Sequence, residues 1–309
     1  MKNYDIVSIG EVLIDFQAAY DGGKLNMTGS MGGAPCNVLA QASRLGARCC
    51  FVGSVGNDIF GDFIKQEIER LGIDAVLQKH DTATTLAIVS IDRKGERSFD
   101  FVRSPGADSM LNTSDAVFEA VSSCRVLSYG SLAFSKSPAA ETVFEVLSKA
   151  ACKRAYDPNL RPAIWRDDAR MKQFALEGMK YADILKIGDD EALFLTGCSD
   201  IGKAASVLSE KYNIPYVFIT MGARGCRFLC NGESGSVPSY GVTAKDTTGA
   251  GDSFFGALLY RYITQGFDPR VEQSVAFACA AGALTASKKG TADAMPDKAE
   301  IIRLMTENR

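Results

Sequence analysis

The chain has 309 residues, 46% of them hydrophobic and 23% charged, with a formal net charge of −3 and one histidine. That length serves one large α/β domain with an appendage, or about two domains, and the composition excludes disordered, collagen-like and low-complexity classes. The charge lacks the positive excess of a nucleic-acid binder, no apolar run reaches the roughly 18 residues of a membrane span, and the opening residues, with Asp5 and Glu11, are not expected to act as a secretory signal.

Residues 4–10 read as a first strand. Residues 12–20 and 24–31, joined by Asp21-Gly-Gly, read as a strand pair with no helix between them. Residues 35–45 predict a helix with Val38, Leu39, Ala42 and Leu45 on one stripe and Gly46 as its stop. A strand at 48–54 and a helix at 58–71 follow. That helix starts at Asp58 and is expected to bury Phe60, Phe63, Ile64, Ile68 and Leu71, with Gly72 after it. Residues 84–92 and 97–102 alternate about a turn at Arg93-Lys-Gly-Glu96, with Phe99 and Phe101 on one side, which reads as a β-hairpin. Strands at 125–129, 154–157, 183–187 and 215–220 then alternate with helices at 138–151, 168–180 and 201–212. Beyond Gly249 the chain is helical, at 250–262, 270–286 and 297–307. Alternating β and α units imply a mostly parallel sheet with helices on both faces. The two strand pairs interrupt that rhythm and imply a small separate sheet. One of its faces needs cover from a ligand, the main domain or a second subunit.

The nine cysteines are scattered, mostly in apolar stretches, and read as small buried hydrophobes in a reducing cytosol. Cys226 and Cys230 are four apart, but a strand puts both on one core-facing side and no second ligand pair accompanies them, so no metal is expected there. His80 reads as a lone surface histidine, which excludes mechanisms needing two.

The chemistry concentrates in Asp246-Thr-Thr-Gly-Ala-Gly-Asp252 and the apolar run to Leu259. Small residues precede a long helix whose first-turn N–H groups lack intrahelical acceptors and whose end carries roughly half a positive charge. Gly249, Ala250 and Gly251 permit close backbone approach, which makes an anion hole suited to phosphate. A carboxylate in that hole, Asp252, makes sense as a general base facing an attacking hydroxyl; the alternative is a capped core helix whose dipole it complements. Two look-alikes fail. Gly197-Cys-Ser-Asp-Ile-Gly-Lys203 nearly matches a P-loop, but Ala204 stands where Ser or Thr ligates Mg²⁺. Gly249-Ala-Gly251 lacks the third glycine of a dinucleotide fingerprint and comes too late to open a Rossmann unit.

The stretch from Asp246 to Leu259 resembles the C-terminal signature of the PfkB, or ribokinase-like, carbohydrate kinases. Gly32-Gly-Ala-Pro-Cys-Asn37, Arg44-Leu-Gly46 and Gly53-Ser-Val-Gly56-Asn-Asp58 resemble their N-terminal signature, and the similarity runs nearly end to end. Four further stretches are most similar to the fructokinases of that family. They are Asp157-Pro-Asn-Leu-Arg161-Pro with Trp165, Phe101-Val-Arg103 leading to Ala107-Asp108, Ala182-Asp-Ile-Leu-Lys186, and Thr220-Met-Gly222-Ala-Arg-Gly225. They are shared in part with 2-keto-3-deoxygluconate kinases.

The resemblance implies a three-layer α/β/α sandwich at residues 1–11, 32–83 and 104–309. It implies a β-sheet lid at 12–31 and 84–103 that also forms the contact of a homodimer. It implies transfer of the ATP γ-phosphate to a small sugar with Mg²⁺, in the cytoplasm, with no nucleic-acid or membrane partner. Asp252 matches the catalytic base, and Gly249, Ala250 and Gly251 the anion hole. Asp15 resembles the sugar-binding aspartate; Gly32, Gly33 and Asn37 would line the sugar pocket. Arg103 would reach the sugar from the lid, and Arg161 would bind substrate or a phosphate oxygen. Lys186, Thr220, Gly222 and Gly225 match the nucleotide side. Glu191 matches the acid that tunes Mg²⁺ through water, although Gly188 replaces the amide that many relatives carry. Asp246 and Thr248 match ligands of a monovalent cation, K⁺, while the loop from Ser287 to Asp293 matches loosely. The expected reaction converts ATP and D-fructose to ADP and D-fructose 6-phosphate. A kinase for 2-keto-3-deoxygluconate or another small sugar is the alternative, and a non-catalytic sugar sensor a remoter one.

Overall fold

Strands that read as continuous apolar runs need a sheet covered on both faces, because no residue along them tolerates water. A computed structural model describes residues 4–21, 23–91, 97–267 and 270–307. Its strands are β1 (Tyr4–Ile9), β2 (Leu13–Asp21), β3 (Lys24–Gly32), β4 (Cys49–Gly56), β5 (Asp74–His80), β6 (Leu86–Ile91) and β7 (Arg97–Val102), then β8 (Cys124–Gly130), β9 (Lys153–Asp157), β10 (Ile184–Gly188), β11 (Tyr216–Thr220), β12 (Cys226–Cys230) and β13 (Glu233–Val237). The helices are α1 (Ala34–Arg44), α2 (Ile59–Arg70), α3 (Asp115–Ser122), α4 (Ala139–Lys149), α5 (Pro162–Trp165), α6 (Asp168–Met179), α7 (Asp189–Thr196), α8 (Ile201–Tyr212), α9 (Ala250–Gln265), α10 (Val271–Ala286) and α11 (Lys298–Glu307).

Nine strands form one sheet in the order β13-β12-β11-β10-β9-β8-β1-β4-β5. It is parallel from β5 to β11 and ends in an antiparallel hairpin, β12–β13. One apolar core joins the sheet to α1, α2, α9, α10 and α11, and a second joins its other face to α3, α4, α6, α7 and α8. The expected three layers are present. A four-stranded sheet in the order β3-β2-β6-β7 stands apart, its two antiparallel hairpins joined by parallel pairing of β2 with β6. The turn expected at Arg93–Glu96 and the side chain of Phe99 lie outside the described residues.

Local signals account for the helix starts. Pro35 sits in the first turn of α1, where its missing N–H costs nothing. The Asp58 carboxylate accepts the N–H groups of Phe60 (3.1 Å) and Gly61 (2.8 Å), and also that of Thr84 (2.8 Å) just before β6. One side chain thereby caps α2 and ties it to the root of the small sheet.

Two readings are corrected. Phe63 is 36% exposed, because α2 turns Gly61, Ile64 and Ile68 inward and leaves Phe63 on its flank. His80, expected at the surface, is half-buried at the end of the edge strand β5, where it pairs with Gly56. The helix α3 was not expected from the sequence, being too short to show a helical stripe. Cys226 and Cys230 do share one buried face of β12, packed into the core. Among the described residues no helix is long and apolar enough to cross a membrane.

Candidate active site

Parallel sheets hold ligands at the carboxyl ends of their strands, and the polar residues gather there. Lys186 in β10 points to the same face as Ile184, and Asp157 ends β9. Their positions extend the register of Ile184 with Ala155 and Leu185 with Tyr156, so the ammonium meets the Asp157 carboxylate at 2.8 Å. Both side chains are buried. Burial by itself would depress the Lys186 pKa, but Asp157, Glu191 and Asp252 more than offset it and hold the ammonium charged.

The N-terminus of α9 faces this pair. Gly249 caps it in the left-handed region, at φ 75°. The Ala250 N–H donates to the Thr247 carbonyl (3.2 Å) and the Ser253 N–H to the Gly249 carbonyl (2.8 Å). The N–H groups of Gly251 and Asp252 find no acceptor among the described residues. Of the anion-hole donors expected at 249–251, that of Ala250 is therefore already engaged. A Cβ built on Gly251 would lie 3.1 Å from Lys186 Nζ, so the ammonium and the open N–H groups address one point. A cation beside the positive end of a helix is unfavourable unless an anion lies between them. The arrangement suits a phosphoryl group.

Asp252, one turn into α9, is 9% exposed and accepts a hydrogen bond from Asn37 Nδ2 at 2.8 Å. Burial raises its pKa and Lys186 pulls it back, so the carboxylate is a stronger base than one in water. The turn that carries it is fixed from behind. Thr285 Oγ1 donates to Ser253 Oγ (2.8 Å), and Ser253 Oγ to Gln41 Oε1 (2.8 Å), all buried.

The small sheet supplies the opposite wall. Asp15 on β2 lies over Gly32 at the end of β3, where a Cβ would fall 2.0 Å from Asp15 Oδ2. Gly33, at φ 113°, approaches the Glu11 carbonyl with similar closeness. Burial raises the Asp15 pKa to about 6, with Arg161 opposing and Asp252 adding to the shift. The exposed Arg161 favours ionisation of Glu11, Asp15 and Asp252, which places its guanidinium among three carboxylates. Arg103 is different: Asp108 holds it in a bidentate pair at 2.7 Å and Ser135 at 2.9 Å, with the two charged side chains 4% and 1% exposed.

On the other side, Glu191 accepts the N–H groups of Leu160 (2.5 Å) and Gly188 (3.0 Å), and burial and Asp157 raise its pKa. Thr220 ends β11 opposite Gly188. Gly222 is exposed, whereas Gly225 is needed for packing: a Cβ there would lie 2.0 Å from the Val237 carbonyl. Asp246 Oδ1 accepts from Thr248 N (3.0 Å) and Oγ1 (2.7 Å), and the Asp246 N–H donates to Ala286 at the end of α10 (3.2 Å). Among the described residues no three His, Cys, Asp or Glu side chains form a metal-binding group.

A family model described as pfkB family carbohydrate kinase matches residues 3–298. The chain belongs to that family. It is a sugar phosphotransferase, and its relatives agree in length and fold. A probable fructokinase-4 of Arabidopsis thaliana is 35% identical, over 98% of this chain and 97% of its own. The fructokinase of Xylella fastidiosa, solved with bound ATP, superposes with a TM-score of 0.90 at 30% identity over 99% of both chains. A fructokinase of Vibrio cholerae O395, solved with fructose, ADP and calcium ion, gives 0.84 at 29% identity, over 97% of this chain and 99% of that one.

Within this kinase, the fold gathers Asp15, Gly32, Gly33, Asn37, Arg161, Lys186, Gly251 and Asp252 around one space. Thr220 and Glu191 lie along its edge, and Asp246 and Thr248 lie beneath the start of α9. Gly225 is set apart by its packing role. Two buried acids of the site had no role in the sequence reading. Asp157 was visible only as the start of Asp-Pro-Asn at a strand end, and Glu11 only as the residue between a strand and the small sheet.

Proposed function

We propose that the chain is a fructokinase, transferring the γ-phosphoryl group of ATP to the 6-hydroxyl of D-fructose. The observation that carries this reading is Asp252, buried beside the two open N–H groups of α9 and the Lys186 ammonium. Asp252 takes the proton from the sugar hydroxyl as its oxygen attacks phosphorus. The new O–P bond forms, the bond to the bridging oxygen breaks, and ADP leaves with that electron pair. General-base help of this kind contributes about 10²–10⁴ in rate, and each donor aimed at developing charge about 10²–10³. The Gly251 and Asp252 N–H groups and Lys186 are those donors.

Mg²⁺ fits the site. Asp157 Oδ1 is buried with no hydrogen-bond partner, Glu191 is close enough to repel Asp157, and both offer oxygen, which this hard cation prefers. The two acids would hold the ion through water, where it would neutralise phosphate charge. Asp246 and Thr248 supply oxygen ligands suited to K⁺ under the same helix end.

A neutral ketose suits the pocket better than a sugar acid. The carboxylate of 2-keto-3-deoxygluconate would face Glu11, Asp15 and Asp252, with Arg161 alone to compensate, because Arg103 is committed to Asp108 and Ser135. The names of the relatives support fructose. A sensor has no use for a raised base beside an anion hole. We also read the small sheet as a lid and as the contact of a homodimer. Leu25 and Met27 lie on one face of β3, exposed by 53% and 39%, and Ile59 and Phe63 on the adjoining α2 are exposed as well. Nine cysteines, eight of them buried, suit the cytoplasm.

Asp252→Asn tests the reading. It keeps the Asn37 contact and fructose binding by calorimetry, and loses about 10²–10⁴ in kcat. Turnover within threefold of the parent enzyme removes the base assignment.

A further inference from the structure

Buried polar atoms without partners are rare, and each needs a reason. Glu11, Asn37, Ser131 and Asp157 each bury such an atom, and all four sit at the carboxyl ends of the central strands or the start of α1. Asn37 and Asp157 already have roles above. Glu11 and Ser131 do not. They lie two residues beyond the last β1–β8 pair, Ile9 with Tyr129, on neighbouring strands. Glu11 is 6% exposed and its Oε2 has no hydrogen-bond partner.

Cys36 of α1, Asp108 of the 107–110 turn, Arg103 beyond β7 and Arg161 before α5 are the titratable and charged groups that act on this carboxyl. Arg103 is committed to Asp108, which repels Glu11. The Cys36 thiol is itself held protonated by burial and by Glu11. Arg161 is the one cation of the four whose guanidinium is not paired with another acid, and it is shared with Asp15 and Asp252 across the sugar pocket. Among the described residues no donor lies within hydrogen-bond reach of Oε2, the Ser131 hydroxyl included.

We propose that Glu11 is a second sugar-binding carboxylate, whose unpartnered oxygen accepts a hydrogen bond from a fructose hydroxyl remote from the phosphoryl acceptor. It stands where the chain leaves the main sheet for β2, so a sugar held by Glu11 and Asp15 bridges the main sheet and the small sheet. The inference rests on the sugar-kinase reading above. It also carries a pH consequence. Burial raises the Glu11 pKa to about 7, with Arg161 and Arg103 opposing and Asp108 adding to the shift.

Glu11→Gln preserves volume and removes the charge. The expected result is a KM for fructose roughly tenfold higher at pH 8, with kcat and the KM for ATP within about threefold. The acid limb of kcat/KM, near 7 in the parent enzyme, should move to lower pH in the variant. Thermal unfolding of both proteins shows whether the variant is folded. If it is not, calorimetric titration of the parent enzyme with fructose from pH 5.5 to 8.5 reads the same acid limb directly. A folded variant with an unchanged KM and pH limb, or a parent titration with no limb near 7, overturns the proposal. A parent enzyme that fails to phosphorylate fructose at all overturns the function proposed above instead.

Discussion

Replacing Gly32 by alanine adds one methyl group, and its effect can be worked out from the structure. The backbone of Gly32 is ordinary β-strand, so alanine is tolerated by the chain itself. The new Cβ would lie 2.0 Å from Asp15 Oδ2, 2.6 Å from its Cγ and 3.0 Å from Leu13 Cδ1. All three atoms belong to side chains, so the Asp15 carboxylate swings aside while the strands stay paired. Asp15 then loses the position from which it can accept hydroxyl hydrogen bonds. Each hydrogen bond to a charged group contributes about 1.5–3 kcal/mol. Two such bonds amount to roughly 3–6 kcal/mol, or about 10²–10⁴ in kcat/KM for fructose. The loss should appear mainly in KM, with the KM for ATP and the thermal midpoint little changed. Asp15→Ala should lose about as much, and the double variant scarcely more, because both changes remove one interaction. Steady-state ADP release with the four proteins decides it. A Gly32→Ala enzyme within fivefold of the parent, or additive losses in the double variant, would refute the placement of Asp15.

Arg103→Met leaves Asp108 buried without its partner and should cost about 3–5 kcal/mol in urea unfolding, with a proportionally smaller change in the KM for fructose; the reverse pattern would show Arg103 to be a sugar ligand. The raised pKa of Asp15 sets a stability slope: its contribution is fully present below about 3.8 and is lost as pH rises through about 6. Asp15→Asn should therefore stabilise the ligand-free protein at pH 8 by up to about 3 kcal/mol, and the gain should vanish toward pH 4; equal midpoints for the two proteins at pH 8 would contradict the burial. Replacing K⁺ by tetramethylammonium should lower kcat/KM by about fivefold or more if Asp246 and Thr248 hold a monovalent cation. Equal rates in the two salts would exclude that role.

The layers were legible because their physics is local. Alternation of apolar runs with amphipathic stripes fixes a covered parallel sheet, and Pro35, Asp58 and Gly249 mark helix starts by their own chemistry. The start of α9 was legible for the same reason: small residues, an acid and an apolar helix are contiguous, and N–H groups at a helix end need no distant partner to be open. The edge strand β5 and the exposure of Phe63 were not legible, since a strand or helix flank that touches the core on one side carries a weak pattern.

The sequence by itself determined the sandwich, the inserted strand pairs and the position of Asp252 at a helix end, all consequences of spacing along the chain. Only the tertiary structure decided which charges meet. The partners of Lys186 and Asp252 are 29 and 215 residues away in sequence. It showed that Lys186 is balanced by Asp157 at the helix end, that Arg103 is spent on Asp108, and that Glu11 keeps a buried oxygen without a hydrogen-bond partner. Charge pairing depends on strand register and burial, which bring distant residues together without leaving a pattern in any local stretch of sequence.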